Sequence, residues 1–326
     1  MAEWLFEAGI GEDRAILVED GEILEAAIEL PVPLRAGAVV AARLTAVLVP
    51  ARRGIVRTDA GAEALIEPLP GSITQGSALR VEVVREAVPE AGRDKLAKVR
   101  ATDAPLREGP GLQDRIGPAR ELRPGGPDEL EAAGWSELLE QARTGELPFP
   151  GGALRMSLTP AMTLFDVDGS LNPPALAVAG AAAAGRAIRR LGITGSIGID
   201  LPTLGPKPER LAAAAALDAA LPQPFERSAV NGFGFLQVVR RRERPSLPEL
   251  IRADPAGAAA RALLRRAERG PAGPASLVAA PAVVARLERE AAWIDALARR
   301  LGGAIGLQAD AQLPMFGAYV HHHRQG

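Results

Sequence analysis

The chain has 326 residues, of which 47% are hydrophobic and only 3% aromatic. This length predicts two or three domains with packed cores, and a net charge of −2 gives no overall attraction for nucleic acid. The absence of cysteine excludes disulfides and thiolate zinc sites. The acidic start lacks a signal peptide's apolar run, and the Ala-rich region 171–185 is too short to span a membrane. We therefore expect a cytoplasmic protein with no membrane partner.

Three strands are predicted within residues 1–34. They cover Glu3–Ala8, Arg14–Val18 and Glu22–Glu29. The last two flank an Asp-Gly pair, which favours a tight hairpin turn.

A small β-barrel is predicted over residues 35–104. The stretch GAVVAARLTAVLV is followed by four more short strand-like runs, with Gly and Pro between them. Five short strands in this length are typical of an OB-fold. Residues 105–134 are rich in Pro and Gly and predict a linker or loop.

The stretch from Met162 to Leu201 predicts a strand, a helix and a second strand. It reads MTLFDVDG, then the Ala-rich NPPALAVAGAAAAGRAIRRL, then GSIGIDLP. The paired prolines suit the first turn of a helix. Such a βαβ unit has parallel strands whose C-terminal ends meet at one edge of the sheet, where ligands usually bind. Asp166, Asp168 and Asp200 would therefore converge at this edge.

Three converging carboxylates repel one another unless a cation lies between them. Oxygen ligands, with no Cys and little His in the chain, favour Mg²⁺ or Mn²⁺ over zinc. The alternative is that these aspartates only end strands and begin turns, as Asp commonly does. From the residues alone, both interpretations stay open.

Four motifs lie in or beside this unit: GELPFPGGALRMSL, LTPAMTLFDVDG, TGSIGIDLP and VNGFGFLQVVRRR. Together they resemble the catalytic region of ribonucleases E and G, most strongly over about residues 148–242. The resemblance implies a DNase-I-like catalytic domain over 135–245, in which Asp166 and Asp200 bind a catalytic Mg²⁺. Asp168 matches a supporting position that is usually Asn in the family. Gly232 stands where the family has an arginine near the scissile phosphate.

The resemblance also implies the arrangement of the other segments, in an α+β, multidomain protein. Residues 1–34 would be strands of an RNase-H-like subdomain, 35–104 an RNA-binding OB-fold, and 246–326 a small β-α-β domain. The linker 105–134 has no room for the family's 5′-end sensor, so we expect no dependence on a 5′ monophosphate. The family's zinc-linking cysteines are absent, which implies a monomer or homodimer and no zinc-linked tetramer.

Single-stranded RNA is the partner that the resemblance implies. Family members stack bases on aromatic side chains in the barrel, but residues 37–103 contain none here. Basic side chains would then bind phosphates alone; the alternative is a solvated charged surface. The candidates are Arg43, Arg57, Lys95, Lys98, Arg240, Arg241 and Arg242, and the barrel also contains Arg52, Arg53, Arg80, Arg85, Arg93 and Arg100.

The remaining helices are predicted from apolar spacing. They cover Trp135–Arg143, Pro208–Leu221, Ala256–Arg269 and Pro281–Leu301, and the last is expected to place Trp293 in a core. The three consecutive histidines at 321–323 predict a disordered tail or a tag remnant, with loose binding of nickel or zinc as the alternative.

Three functions stay open at this stage. The first is a Mg²⁺-dependent endoribonuclease of single-stranded RNA, which the three acids favour. The second is a non-catalytic RNA-binding protein of the same family, which Gly232 and the missing barrel aromatics favour. The third is another metal-dependent nuclease or phosphodiesterase.

Overall fold

The computed structural model of the protein describes residues 1–90 and 94–323. It confirms a mixed α+β class, with a closed five-stranded barrel and several sheets. The chain forms two compact units. One combines Met1–Pro31, Ile116–Leu138 and the described residues from Ile251 onward; the other combines Val32–Arg115 and Leu139–Leu250. The predicted division into five domains stays a prediction.

The strands in the described residues are β1 (Glu3–Ala8), β2 (Asp13–Glu19), β3 (Glu22–Glu29), β4 (Val39–Val49), β5 (Arg53–Thr58), β6 (Glu63–Ile66), β7 (Ala78–Arg85), β8 (Ala97–Ala101), β9 (Arg120–Glu121), β10 (Glu146–Phe149), β11 (Gly152–Leu158), β12 (Thr163–Gly169), β13 (Gly195–Asp200), β14 (Glu226–Arg227), β15 (Phe235–Arg240), β16 (Ala275–Ala279), β17 (Ile305–Ala309) and β18 (Tyr319–His322).

The helices in the same residues are α1 (Leu112–Ile116), α2 (Glu129–Ala132), α3 (Trp135–Thr144), α4 (Pro173–Arg190), α5 (Lys207–Ala220), α6 (Leu247–Ala253), α7 (Pro255–Glu268), α8 (Pro281–Glu288) and α9 (Ala291–Leu301). Within this described part of the chain, none is both long and apolar enough to cross a membrane.

The first unit contains a four-stranded sheet in the order β3-β2-β1-β9. The predicted hairpin is confirmed: Asp20 and Gly21 connect β2 to β3 with φ values of 50° and 82°, as a tight primed turn requires. Strand β9 pairs in parallel with β1. It lies in the segment 105–134, predicted as a linker, which also contains α1 and α2. Pro and Gly there prevent long elements but leave room for these short ones.

A second sheet of this unit has the order β17-β16-β18 and packs on α7, α8 and α9. The single helix predicted over Pro281–Leu301 is wrong, because one helix ends at Glu288 and a second begins at Ala291. The predicted histidine tail is also wrong: His321 and His322 belong to β18, which pairs antiparallel with β16. The backbone bonds of the ladder hold this polar segment without a need for apolar side chains.

The first unit also buries a group of charged side chains. Glu7 and Arg14 are 0% and 1% exposed, and Arg14 Nη2 lies 3.0 Å from Glu7 Oε2 and 2.9 Å from Asp128 Oδ1. Arg269 Nη2 lies 2.5 Å from the same Glu7 oxygen. Burial alone would raise the pKa of Asp128, but the charges of Arg14 and Arg269, with hydrogen bonds from Arg14 and the Glu131 N–H, together hold the pKa below its usual value. The guanidinium of Arg14 also lies over the Trp135 ring.

The closed barrel of the second unit has the order β4-β5-β6-β8-β7. Its strands alternate inward and outward side chains, as in β5, where Val56 is buried between the half-buried Ile55 and the exposed Arg57. The core is formed by aliphatic residues without aromatics, among them Leu44, Val56, Ile66, Val81, Val83 and Val99.

The second unit also contains a six-stranded sheet in the order β10-β11-β12-β13-β15-β14. The predicted βαβ unit is confirmed, because β12 and β13 are parallel and α4 connects them. Asn172 caps α4 by accepting a hydrogen bond from the Ala175 N–H at 3.1 Å. The helix packs closely on the sheet: a Cβ at Gly180 would lie 2.4 Å from Val167 Cγ1. Since Val167 points toward α4, the alternating aspartates of β12 point to the other face.

Candidate active site

Two aspartates face each other across neighbouring parallel strands of the six-stranded sheet. Asp166 on β12 is in register with Asp200, the last residue of β13. Neighbouring strands lie about 4.8 Å apart and directly paired residues point to the same face. Both side chains are exposed, and within the described residues neither forms a hydrogen bond or an ion pair. The two carboxylates are therefore free to share one ligand.

The third predicted acid, Asp168, has a different environment. It follows Asp166 on the same face of β12, and its Oδ2 lies 3.2 Å from Arg155 Nη1 on β11. Arg155 is itself in register with Asp166. Within the described residues, no group of three or more His, Asp or Glu lies close enough to hold a metal ion. The structure thus places two of the predicted acids face to face and pairs the third with an arginine.

One row of side chains crosses the sheet at the level of the acids. It runs from Arg155 on β11 through Asp166 and Asp200 to Phe235 on β15. The position two residues before Asp200, on the same face of β13, is Gly198. A Cβ there would lie 2.8 Å from the Phe235 ring. A side chain at Gly198 would therefore displace the apolar surface beside the acids.

A tight turn lies next to Asp200, between β14 and β15. Asn231 Oδ1 accepts hydrogen bonds from the N–H groups of Phe233 (2.9 Å) and Phe235 (3.0 Å). Gly234 has a φ of 93°, and a Cβ there would lie 2.2 Å from the carbonyl oxygen of Leu201. The Leu201 N–H donates to the Gly234 carbonyl at 3.2 Å. The turn is therefore fixed against the chain that leaves Asp200.

The predicted RNA-binding residues of the barrel are mostly paired with carboxylates. Hydrogen bonds from Lys98 and Arg53 lower the pKa of Glu67 to about 2. Arg43 differs, because it donates to the Gly76 carbonyl at 2.5 Å and has no carboxylate partner in the described residues. Arg93 lies outside those residues. The pairs are Arg57–Glu63 (2.6 Å), Lys98–Glu67 (2.8 Å) and Lys95–Glu90.

The predicted basic strand end, 240–242, lies away from the acids. Arg240 is in register with Gly195, the first residue of β13, whereas Asp200 is the last. At about 3.3 Å per residue, the two ends are separated by roughly 17 Å. The three guanidiniums also have partners: Arg240 donates to the Ile193 carbonyl, Arg241 pairs with Glu243 and Arg242 pairs with Glu249.

One residue of this site, Arg155, was missed from the sequence. Arg155 is exposed between the buried residues Leu154 and Met156 of β11. Its role could have been predicted only from the register of β11 with β12, which places it opposite Asp166. Phe233 belongs to the VNGFGFLQVVRRR motif that carries the resemblance, but its exposure was not predicted. Its position at a polar turn was the available signal.

A scan against models of known protein families finds no match for this chain, and a search of curated protein sequences finds no match either. The resemblance to ribonucleases E and G stays a prediction that rests on the motifs.

Proposed function

We propose that this protein is a metal-dependent endoribonuclease of the ribonuclease E and G type that hydrolyses single-stranded RNA. The observation that carries the proposal is the direct register of Asp166 and Asp200, two exposed and unpaired carboxylates on parallel neighbours. The strands that bear them contain the motifs that resemble the family. In this proposal the closed barrel is an OB-fold and the six-stranded sheet belongs to a DNase-I-like domain.

The residues of the pair fit Mg²⁺ or Mn²⁺. Mg²⁺ is usually held by one or two carboxylates, together with waters and substrate phosphates, and the register provides two. Carboxylates this close also repel each other when no cation is present. Bound between Asp166 and Asp200, the ion would polarise the scissile phosphodiester and lower the pKa of its water.

We assign supporting roles to the two neighbours of the pair. Arg155 holds the carboxylate of Asp168 in place, so that Asp168 can accept a hydrogen bond from the attacking water. The same guanidinium can contact a phosphate oxygen, since arginine binds phosphate through several donors. Gly232 has no side chain with which to contact the phosphate, although the space around this position is open. Arg155 supplies positive charge in its place.

The substrate and products follow from the proposed family. Hydrolysis would leave a 5′-phosphate and a 3′-hydroxyl, and cleavage would not depend on a 5′ monophosphate. Cytoplasmic RNA is the substrate that we propose, and a monomer or homodimer is the active form.

Cleavage of a 5′-labelled single-stranded RNA in Mg²⁺ tests the proposal. We expect Asp166→Asn and Asp200→Asn to reduce the cleavage rate by at least about 100-fold, because each removes a charged ligand of the ion. EDTA should have the same effect. Asp295→Asn, at an exposed position on α9, is the matched control and should cleave like the unaltered protein.

Full activity of the Asp200→Asn protein would contradict the proposal. RNA retention without cleavage by the unaltered protein would support the non-catalytic alternative. Equal cleavage of single-stranded DNA would support a less specific nuclease.

A further inference from the structure

Phe233 is 82% exposed, although it is one of the few aromatic residues in the chain. The other phenylalanines of the second unit are buried or half-buried: Phe149, Phe165, Phe225 and Phe235. An exposed aromatic ring keeps a large apolar area in water and contributes nothing to a core. Its placement therefore calls for a partner outside the packed interior.

The backbone that carries Phe233 is held in one conformation. Asn231 accepts two hydrogen bonds within the turn, one of them from Phe233 itself. Gly234 adopts a left-handed φ and approaches the Leu201 carbonyl too closely for any side chain. Little backbone entropy is lost when such a residue binds a ligand, which favours affinity.

The turn lies at the acid end of the sheet. Phe235 is the register partner of Asp200, and Phe233 precedes it by two residues. The backbone of Phe233 thus lies beside the strand end that carries Asp200. A polynucleotide whose phosphate lies at the acid pair would have its neighbouring bases within reach of this turn.

The electrostatics of the unit favour a contact that does not depend on phosphate. Without a bound cation the acid pair repels phosphates, and the predicted cations of the barrel are largely paired with carboxylates. The barrel also lacks the aromatics on which other single-strand binders stack bases. Stacking on an exposed ring is uncharged and tolerates any base, so it can position RNA near acidic residues.

We infer that Phe233 stacks on a base of the RNA strand beside the Asp166–Asp200 pair and so positions the strand for cleavage. This inference rests on the proposed RNA substrate. It makes Phe233 a positioning residue of the site, with single-stranded nucleic acid as its ligand.

Binding of a fluorescein-labelled 12-nucleotide RNA tests this inference. All proteins carry Asp200→Asn, so that the RNA stays intact. We expect Phe233→Ala to weaken binding roughly 5- to 100-fold, since stacking contributes about 1–3 kcal/mol per base, and Phe233→Trp to retain affinity. Leu211→Ala, at a 58% exposed position on α5, is the control and should bind unchanged. The thermal midpoint should not change in any of these variants.

A set of RNAs with one abasic position each separates stacking from a general loss of affinity. At one position, removal of the base should weaken binding to the Phe233 protein but not to Phe233→Ala. Equal affinity of the Phe233 and Phe233→Ala proteins for every RNA would overturn the inference. The proposed nuclease would still be supported in that case if the unaltered protein cleaved RNA and the Asp200→Asn protein did not. Binding that depends on one base and on Phe233, together with no cleavage by the unaltered protein, would support the inference and overturn the proposed catalysis. Absence of RNA binding and cleavage would overturn both.

Discussion

Arg155 determines how much negative charge the acid row carries. It is in register with Asp166 and lies 3.2 Å from Asp168. An exposed ion pair of this kind contributes little to the stability of a protein. Its effect should therefore be seen on the charged ligands of the site, the cation and the RNA phosphates, and not on folding.

Arg155→Met should strengthen cation binding and weaken RNA binding. A unit charge within about 5 Å contributes about 1 kcal/mol in a solvated setting, so we expect Mn²⁺ affinity without RNA to rise roughly 3- to 10-fold. Mn²⁺ titration followed by electron paramagnetic resonance measures this change, and RNA titration should show the opposite one. Arg155→Lys keeps the charge and serves as the control. Weaker Mn²⁺ binding by Arg155→Met would mean that the cation does not bind at this row.

Among the elements, α4 controls the position of the acids through the opposite face of the sheet. Gly180 allows the helix to approach Val167 closely, and Val167 lies between Asp166 and Asp168 on β12. Because protein interiors are close-packed, added volume at this contact must move the helix or the strand.

Gly180→Leu should lower the free energy of unfolding by about 1–3 kcal/mol, the usual cost of overpacking, and should also reduce RNA cleavage as β12 shifts. Urea unfolding followed by circular dichroism measures the stability. Val178→Leu, on the exposed side of the same helix, is the matched control and should be nearly neutral. If Gly180→Leu left both stability and cleavage unchanged, the close contact would not position the acids.

Local patterns predicted the elements near the acids well, because each depends on a few neighbouring residues. The Asp-Gly turn, the two apolar runs and the Pro-led helix between them are signals of this kind. Arg155 and β18 could not be predicted in the same way. The role of Arg155 depends on register with another strand, and the histidines of β18 are ordered by backbone pairing with β16.

For the whole molecule, the main feature is a first unit built from three separate stretches of chain. Its buried charges join these stretches, since Arg14, Asp128 and Arg269 meet around Glu7. No local pattern predicts this group, because charged residues are usually exposed and these lie far apart in sequence. Its members were therefore not recognised as interior residues.

Glu7→Gln should destabilise the first unit strongly. Removal of one partner leaves buried guanidiniums without their counter-charge, which costs about 3–5 kcal/mol. All three tryptophans, at positions 4, 135 and 293, belong to this unit, so tryptophan fluorescence during urea unfolding reports its stability. Glu22→Gln, at an exposed hairpin position, is the control. A loss below about 1 kcal/mol for Glu7→Gln would mean that the buried charges are well solvated.

The same arrangement imposes an order on events at the ribosome. The roughly 220 residues between Pro31 and Ile251 take about 10–45 s to synthesise at 5–20 residues per second. During that interval β9 and α2 are made, but β1 and β2 exist without Arg269 and without α7, α8 and α9. The hairpin of β1 and β2 must therefore wait for its remaining partners until the stretch from Ile251 onward has been synthesised.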